Sequence, residues 1–273
     1  MSSTARLRQG ILVALLAAVL LPAPVAPAGA AVVDPAVGAA GTPAGTGYWT
    51  VASNGRVRAV LSATHRGDVR GQPLNRPMVG IGATSTGNGY WLVASDGGVF
   101  SFGDARFFGS TGGIALRQPI VGITPTPSGQ GYWLVARDGG VFSFGDARFF
   151  GSTGGFRLVR PVVAMTPRPT GNGYWLVASD GGVFAFGDAP FLGSTGGIPL
   201  HRPIIGLAST ASGGGYWMGA TDGGVFSFGD APFWGSATAI PGYDPSVAIF
   251  RVTTTGYRIV NAESGSANFR RAP

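Results

Sequence analysis

The sequence predicts an all-β fold, a β-propeller of about six four-stranded blades, and three observations lead there. The first is a fixed interval: Tyr48-Trp49, Tyr90-Trp91, Tyr132-Trp133, Tyr174-Trp175 and Tyr216-Trp217 stand 42 residues apart. Prolines keep the same step at Pro35, Pro77, Pro119, Pro161, Pro203 and Pro245. The second is that each interval holds four short apolar runs bounded by Gly, Asp, Ser and Asn, the pattern of strands joined by tight turns. The third is that no repeat carries a helical apolar period over ten or more positions. A repeat of about 40 to 45 residues with four strands is the size of a propeller blade.

At the start of the chain, Arg6 and Arg8 precede an apolar run of 11 residues, Ile11 to Leu21, and a Pro/Ala stretch leads to Ala28-Gly29-Ala30. A charged segment, a short apolar run and small residues at a cleavage point make residues 1–30 a secretory signal peptide. The run is too short to cross a bilayer as a helix. The mature chain, 31–273, is then a single repeat domain of 243 residues, exported and without a membrane span. Its units are 35–76, 77–118, 119–160, 161–202, 203–244 and a shortened 245–273.

Within 77–118 the expected strands are Met78 to Ile81, Tyr90 to Ala94, Val99 to Phe102 and Arg106 to Gly109. Asp96-Gly97-Gly98 supplies the positive φ that a tight hairpin demands between the second and third. Gly103-Asp104 is expected to turn the chain into the fourth. Tyr90 and Leu92 take one face of their strand, Trp91 and Val93 the other, so the sheet must be covered on both sides. Small sheets packed face to face around an axis meet that need, since one hairpin alone is marginal in water. A five-bladed ring and an open β-solenoid are the alternatives. The terminal units are worn: Asn54-Gly55-Arg56 replaces Asp-Gly-Gly in the first, and Arg258 replaces the tryptophan in the sixth. The sixth unit ends before a fourth strand, which leaves an edge empty unless Val32 and Val33 add to it.

Composition narrows the function. With no cysteine, disulfides and thiolate metal sites are excluded together. The formal charge of +7 falls to +5 without Arg6 and Arg8, and all 19 basic residues are arginines. They are scattered, so nucleic acid is not an expected partner. Gly 48 and Pro 20 make 68 of 273 residues, close to low-complexity levels. They recur in register with aromatic residues, however, which disordered segments lack.

Four acidic pairs, Asp96/Asp104, Asp138/Asp146, Asp180/Asp188 and Asp222/Asp230, look at first like general acids and bases or calcium ligands. Each member sits beside glycine in a turn, and all four pairs recur alike, so turn formation is the reading preferred. His65 and His201 are the only histidines and have no metal-ligand spacing. Gly109-Ser110-Thr111-Gly112-Gly113 lacks the Gly-x-Ser-x-Gly form of a nucleophile elbow, and Ser152 and Ser194 repeat it. No metal, cofactor or enzymatic activity is expected. The five repeated tryptophans are read as spacers between blades rather than sugar platforms. Ligand binding is assigned instead to positions that vary on the constant scaffold: Phe108, Phe150, Leu192 and Trp234, and Arg106, Arg148, Pro190 and Pro232. Phe108, Phe150, Trp234, Arg106 and Arg148 are the chief candidates.

In Gly89 to Phe228 the sequence resembles a tandem repeat of exported actinobacterial cell-envelope proteins, Gly-Tyr-Trp-Leu-Val-Ala-Ser-Asp-Gly-Gly-Val-Phe-Ser/Ala-Phe-Gly-Asp-Ala. The match is close in four units and partial in the first and sixth. In that group the repeat often accompanies cell-wall hydrolase or peptidase domains, and no such partner domain is present here. The resemblance implies an extracellular, propeller-like accessory module and transfers no catalytic residue. The expected function is a monomeric, non-catalytic binding module, secreted or held at the cell surface, whose partner is a cell-wall glycan or surface protein. A hydrolase with a site on a propeller face and a purely structural surface protein are the alternatives.

Overall fold

The computed structural model describes residues 34–241, 243, 245–252 and 256–270. The expected signal peptide, and Val32 and Val33, lie outside the described residues. The first sheet consists of β1 (Ala36–Gly41), β2 (Gly47–Ala52) and β3 (Val57–Leu61), and the second of β4 (Met78–Ala83), β5 (Gly89–Ala94) and β6 (Val99–Gly103). The third is β7 (Ile120–Pro125), β8 (Gly131–Ala136) and β9 (Val141–Gly145), and the fourth β10 (Val162–Pro167), β11 (Gly173–Ala178) and β12 (Val183–Gly187). The fifth is β13 (Ile204–Ser209), β14 (Gly215–Ala220) and β15 (Val225–Gly229), and the sixth β16 (Ser246–Val252), β17 (Gly256–Asn261) and β18 (Ser266–Arg270). Each sheet is antiparallel in chain order. Among the described residues no helix is long and apolar enough to cross a membrane.

Local chemistry explains the hairpins. Ala94 N–H donates to Gly98 O at 2.9 Å across the Asp-Gly-Gly turn, and Gly97 has φ +79°. A Cβ on Gly97 would lie 1.8 Å from Thr111 Oγ1, so both conformation and space demand glycine there. The first strands contact one another from sheet to sheet, and each carries a bulge, between Met78 and Gly80 in the second sheet. Gly80 stands there with a would-be Cβ 3.3 Å from Gly122 Cα, so a small residue lets neighbouring strands approach.

The core lies between the sheets. Trp49 and Val51 pack with Tyr90 and Leu92 of the next sheet, and Trp91 and Val93 with Tyr132 and Leu134. All five repeated tryptophans are at most 1% exposed, as spacers between sheets must be. Successive Trp and Tyr rings are 5.2 to 5.6 Å apart in tilted or edge contacts. Burying four such side chains is worth roughly 6–12 kcal/mol per seam before entropy is counted. That rivals the net stability of a whole domain, so no sheet is independent of its neighbours.

One backbone bond shows that the series of sheets closes. Met78 N–H donates to Ser53 O (2.9 Å), Ile120 to Ser95 (2.8 Å), Val162 to Arg137 (2.9 Å), Ile204 to Ser179 (2.9 Å) and Ser246 to Thr221 (2.6 Å). The sixth bond of the set runs from Ala36 N–H to Ala262 O at 2.8 Å, joining the first sheet to the last. The described residues thus form six sheets in a cycle, rather than five or an open solenoid. The closing seam has its own chemistry. Arg258 takes the place of tryptophan, with Cζ 5.2 Å from the centre of the Tyr48 ring. Tyr48 Oη donates to Ser264 O at 2.8 Å, and Phe250 covers Gly41, where a Cβ would meet its ring at 2.7 Å.

The expectation of four strands per sheet is corrected to three. Arg106 to Gly109 and its counterparts are not strands. Their backbone groups are taken by side chains of two different sheets rather than by the edge of β6. Trp91 Nε1–H donates to Arg106 O at 2.7 Å, and Tyr132 Oη of the following sheet accepts from Phe108 N–H at 3.2 Å. Gly109, with φ +136°, lies directly on Phe144 of that sheet, where a Cβ would sit 2.5 Å from the ring. The segment is a strap across the seam.

Candidate functional site

The straps carry the sequence-predicted site residues, so their geometry decides which side chains meet solvent. Each is held at three points. The indole clamp recurs as Trp49 to Thr64 O (2.9 Å), Trp133 to Arg148 O (2.8 Å), Trp175 to Pro190 O (2.7 Å) and Trp217 to Pro232 O (2.8 Å). The phenol clamp is double: Tyr174 Oη accepts from Phe150 N–H at 3.1 Å and donates to Gly151 O at 2.6 Å. At the far end Thr111 N–H donates to Gly97 O at 3.1 Å, beside the Asp-Gly-Gly turn. Burial raises the pKa of Tyr90, Tyr132, Tyr174, Tyr216 and Tyr257 above the ordinary phenol value, with strap hydrogen bonds opposing part of the rise. These clamps remain protonated donors throughout the neutral range.

The variable position of the strap faces the seam. Phe108 is half-buried, 6.4 Å from the Trp91 ring and 5.7 Å from Tyr132, and Phe150 lies 5.6 Å from Tyr174. Leu192 packs into the corresponding cluster of the fourth and fifth sheets. Trp234 is more open, at 36% exposure. Arg106, Arg148, Pro190 and Pro232 are exposed, and the Arg148 guanidinium sits 5.9 Å from the Phe150 ring. The candidates are therefore split between seam and solvent, and are not gathered in one pocket.

Sequence reasoning passed over the residue next door. Phe107, Phe149, Phe191 and Phe233 are 60, 60, 61 and 59% exposed, in the same place on four successive straps. His65 holds that place in the first unit and is also exposed. The signal was present in the alternation of an extended chain: if Phe108 turns into the seam, its neighbour turns out.

The two members of each acidic pair are engaged at opposite ends of a strand. Asp96 Oδ1 accepts from Gly98 N–H at 3.0 Å in the hairpin turn, whereas Asp104 accepts from Thr84 and Thr86 at the other end of β6. Asp146 binds Thr126 and Ser128 in the same way, and Asp230 binds Thr210 and Ser212. His65 lies 3.5 Å from Asp68, and His201 3.6 Å from Asp222. A depression of about 370 Å³ between the first two sheets is lined by Thr46, Ser62, Thr64, Arg66, Thr86 and Asn88 among others. Arg66 donates across it to Asn88 Oδ1 at 2.9 Å.

No protein-family model matches the chain, and neither does any curated protein sequence. Among solved structures, a protein of unknown function from Bacteroides thetaiotaomicron aligns with TM-score 0.58 at 11% identity, over 85% of this chain and 68% of its own. The β-propeller domain of Myceliophteria thermophila Cps50 (Swd1) aligns with TM-score 0.55 at 9% identity, over 88% of this chain and 97% of its own. At such identities the likeness speaks to fold alone: six small antiparallel sheets arranged as in a β-propeller.

Proposed function

We propose that this chain is an exported, non-catalytic module that binds a cell-envelope glycan or surface protein along the outer edges of its sheets. The observation that carries the reading is the row of exposed Phe107, Phe149, Phe191 and Phe233. Their straps are held by an indole hydrogen bond just before them and a phenol hydrogen bond just after, so the phenyl rings stay in water although burial would favour them. Repeated exposed aromatic groups on a rigid frame serve association, and the exposed Arg106 and Arg148 add hydrogen-bond donors beside two of them. Export is supported by the n-region, apolar run and small residues of 1–30, and the envelope by the resemblance of the repeat. The non-catalytic reading is supported by the engagement of Asp96 and Asp104 at opposite ends of one hairpin.

Retention on purified cell wall and on a glycan array tests this. The parent chain is expected to be retained, and Phe149→Ser with Phe191→Ser to lose about tenfold in affinity. Retention no greater than that of an unrelated exported protein would remove the binding claim. Turnover of fluorescent glycoside or peptide substrates, abolished by an Asp or His substitution, would replace it with the hydrolase reading.

A further inference from the structure

The ends of the sheets that carry the Asp-Gly-Gly turns present a second surface. Beside each turn the strap continues into a loop tip, residues 112–118 in the second unit, 154–160 in the third and 196–202 in the fourth. The tips start from equivalent bonds: Thr111, Thr153 and Thr195 donate their N–H to Gly97, Gly139 and Gly181 O at 3.1, 3.2 and 3.2 Å. Leu116, Leu158 and Leu200 then return into the clusters between sheets. A tip anchored at both points cannot turn its remaining apolar residue inward. Ile114, Phe156 and Ile198 stand out at 61, 71 and 60% exposure, and Val159 at 91%. Because the sheets repeat around a cycle, these tips share one side of it.

Arg117, Arg157 and Arg160 are exposed on the same tips. The carboxylates of the adjoining turns, Asp96, Asp138 and Asp180, are half-buried, and each accepts from a glycine N–H of its own turn at 2.9–3.0 Å. Asp222 faces His201. On these tips the protruding charge is therefore positive and the protruding surface apolar, while the exposed carboxylate of Glu263 stands on the turn of the sixth sheet.

We propose that this side docks peripherally on an anionic phospholipid bilayer, with Phe156 and Val159 entering the acyl boundary and Arg157 and Arg160 on the lipid phosphates. Convex tips with isolated apolar side chains suit a bilayer, which closes around each of them, whereas a folded partner needs a contiguous complementary patch. The depression at this end between Arg76 and Gly112, of about 140 Å³, is too small to seat a folded segment. Arginine forks match phosphate oxygens, and each cation near an anionic surface raises partition about fivefold. This surface is separate from the outer-edge phenylalanines, so its fate is independent of the binding proposed there.

The test is sedimentation of the full mature chain with vesicles of phosphatidylglycerol and phosphatidylcholine in equal parts, against phosphatidylcholine alone. The parent is expected to pellet with the anionic vesicles only. Partition should fall about tenfold or more in Phe156→Ser with Val159→Ser, and similarly in Arg157→Gln with Arg160→Gln, while Phe149→Ser leaves it unchanged. The chain has no cysteine, so Val159→Cys and Phe149→Cys each take a single polarity-sensitive dye, which keeps the test open should a double variant fail to fold. The dye at 159 should shift to the blue on anionic vesicles and the dye at 149 should not. Equal pelleting with both vesicle types, pelleting with neither, or full partition without Phe156 and Val159 would overturn the proposal. Capture by soluble polyglutamate with no vesicle binding would also overturn it, in favour of an acidic polymer.

Discussion

Tyr132 shows how one hydroxyl serves as part of a sheet. It accepts from Phe108 N–H and donates to Gly109 O, so two strap backbone groups that a fourth strand would have satisfied depend on a side chain from the next repeat. Tyr132→Phe keeps the ring contacts but leaves both groups unpaired beside the seam, and should cost about 1–3 kcal/mol in denaturant unfolding. Phe107→Ser touches only the exposed side of the same strap and should stay within about 0.5 kcal/mol. Equal effects of the two would show that the phenol clamp holds nothing. The pairing of an inward Phe108 with an outward Phe107 was open to reading from alternation. What was not legible was that a tyrosine 24 residues on would claim the Phe108 N–H, because nothing in the local pattern names that partner.

At the scale of the element, the strap behaves as an edge strand whose ladder has been replaced by indole and phenol. Its counterparts recur across five seams, ending at Tyr90, Tyr132, Tyr174, Tyr216 and Tyr257. All five phenols have a pKa raised by burial, and that sets the direction of the pH dependence. Below the ordinary phenol value near 10 both folded and unfolded chains keep the proton, and the stability is fully present. Above it the unfolded chain ionises first, so stability is lost as pH rises through the raised folded values. A steep alkaline transition should follow, with phenolate absorbance rising together with loss of the near-ultraviolet circular dichroism. Phenolate appearing well before the loss of tertiary signal would mean that these hydroxyls are not clamped. The hairpin of each unit, by contrast, was readable residue by residue, since Asp-Gly-Gly dictates its own turn.

For the whole molecule, the decisive feature is that the bond from Ala36 to Ala262 belongs to the same set as the five between consecutive sheets. Removal of residues 245–273 would expose Trp217 on one side and Tyr48 on the other, and the apolar seam of Trp217 alone is worth about as much as the net stability of a domain. The truncated chain is expected to lose cooperative thermal unfolding. A melt matching that of the intact chain would mean that the sheets are not coupled around a cycle. Arg258 in the closing seam fits this reading: the joint between the last and first sheets uses a cation on Tyr48 and the Ser264 contacts, where the other joints pack tryptophan against tyrosine.

The period, the three strands of each unit, their turns and the two apolar faces of the middle strand were determined by the sequence alone. Each follows from short-range rules of alternation and turn geometry that a single repeat already obeys. The strap in place of a fourth strand, the tyrosines that clamp it and the chemistry of the closing seam were decided only by the tertiary structure. Their hydrogen-bond and packing partners stand on neighbouring sheets, and a residue's exposure is set by whatever the next sheet leaves uncovered.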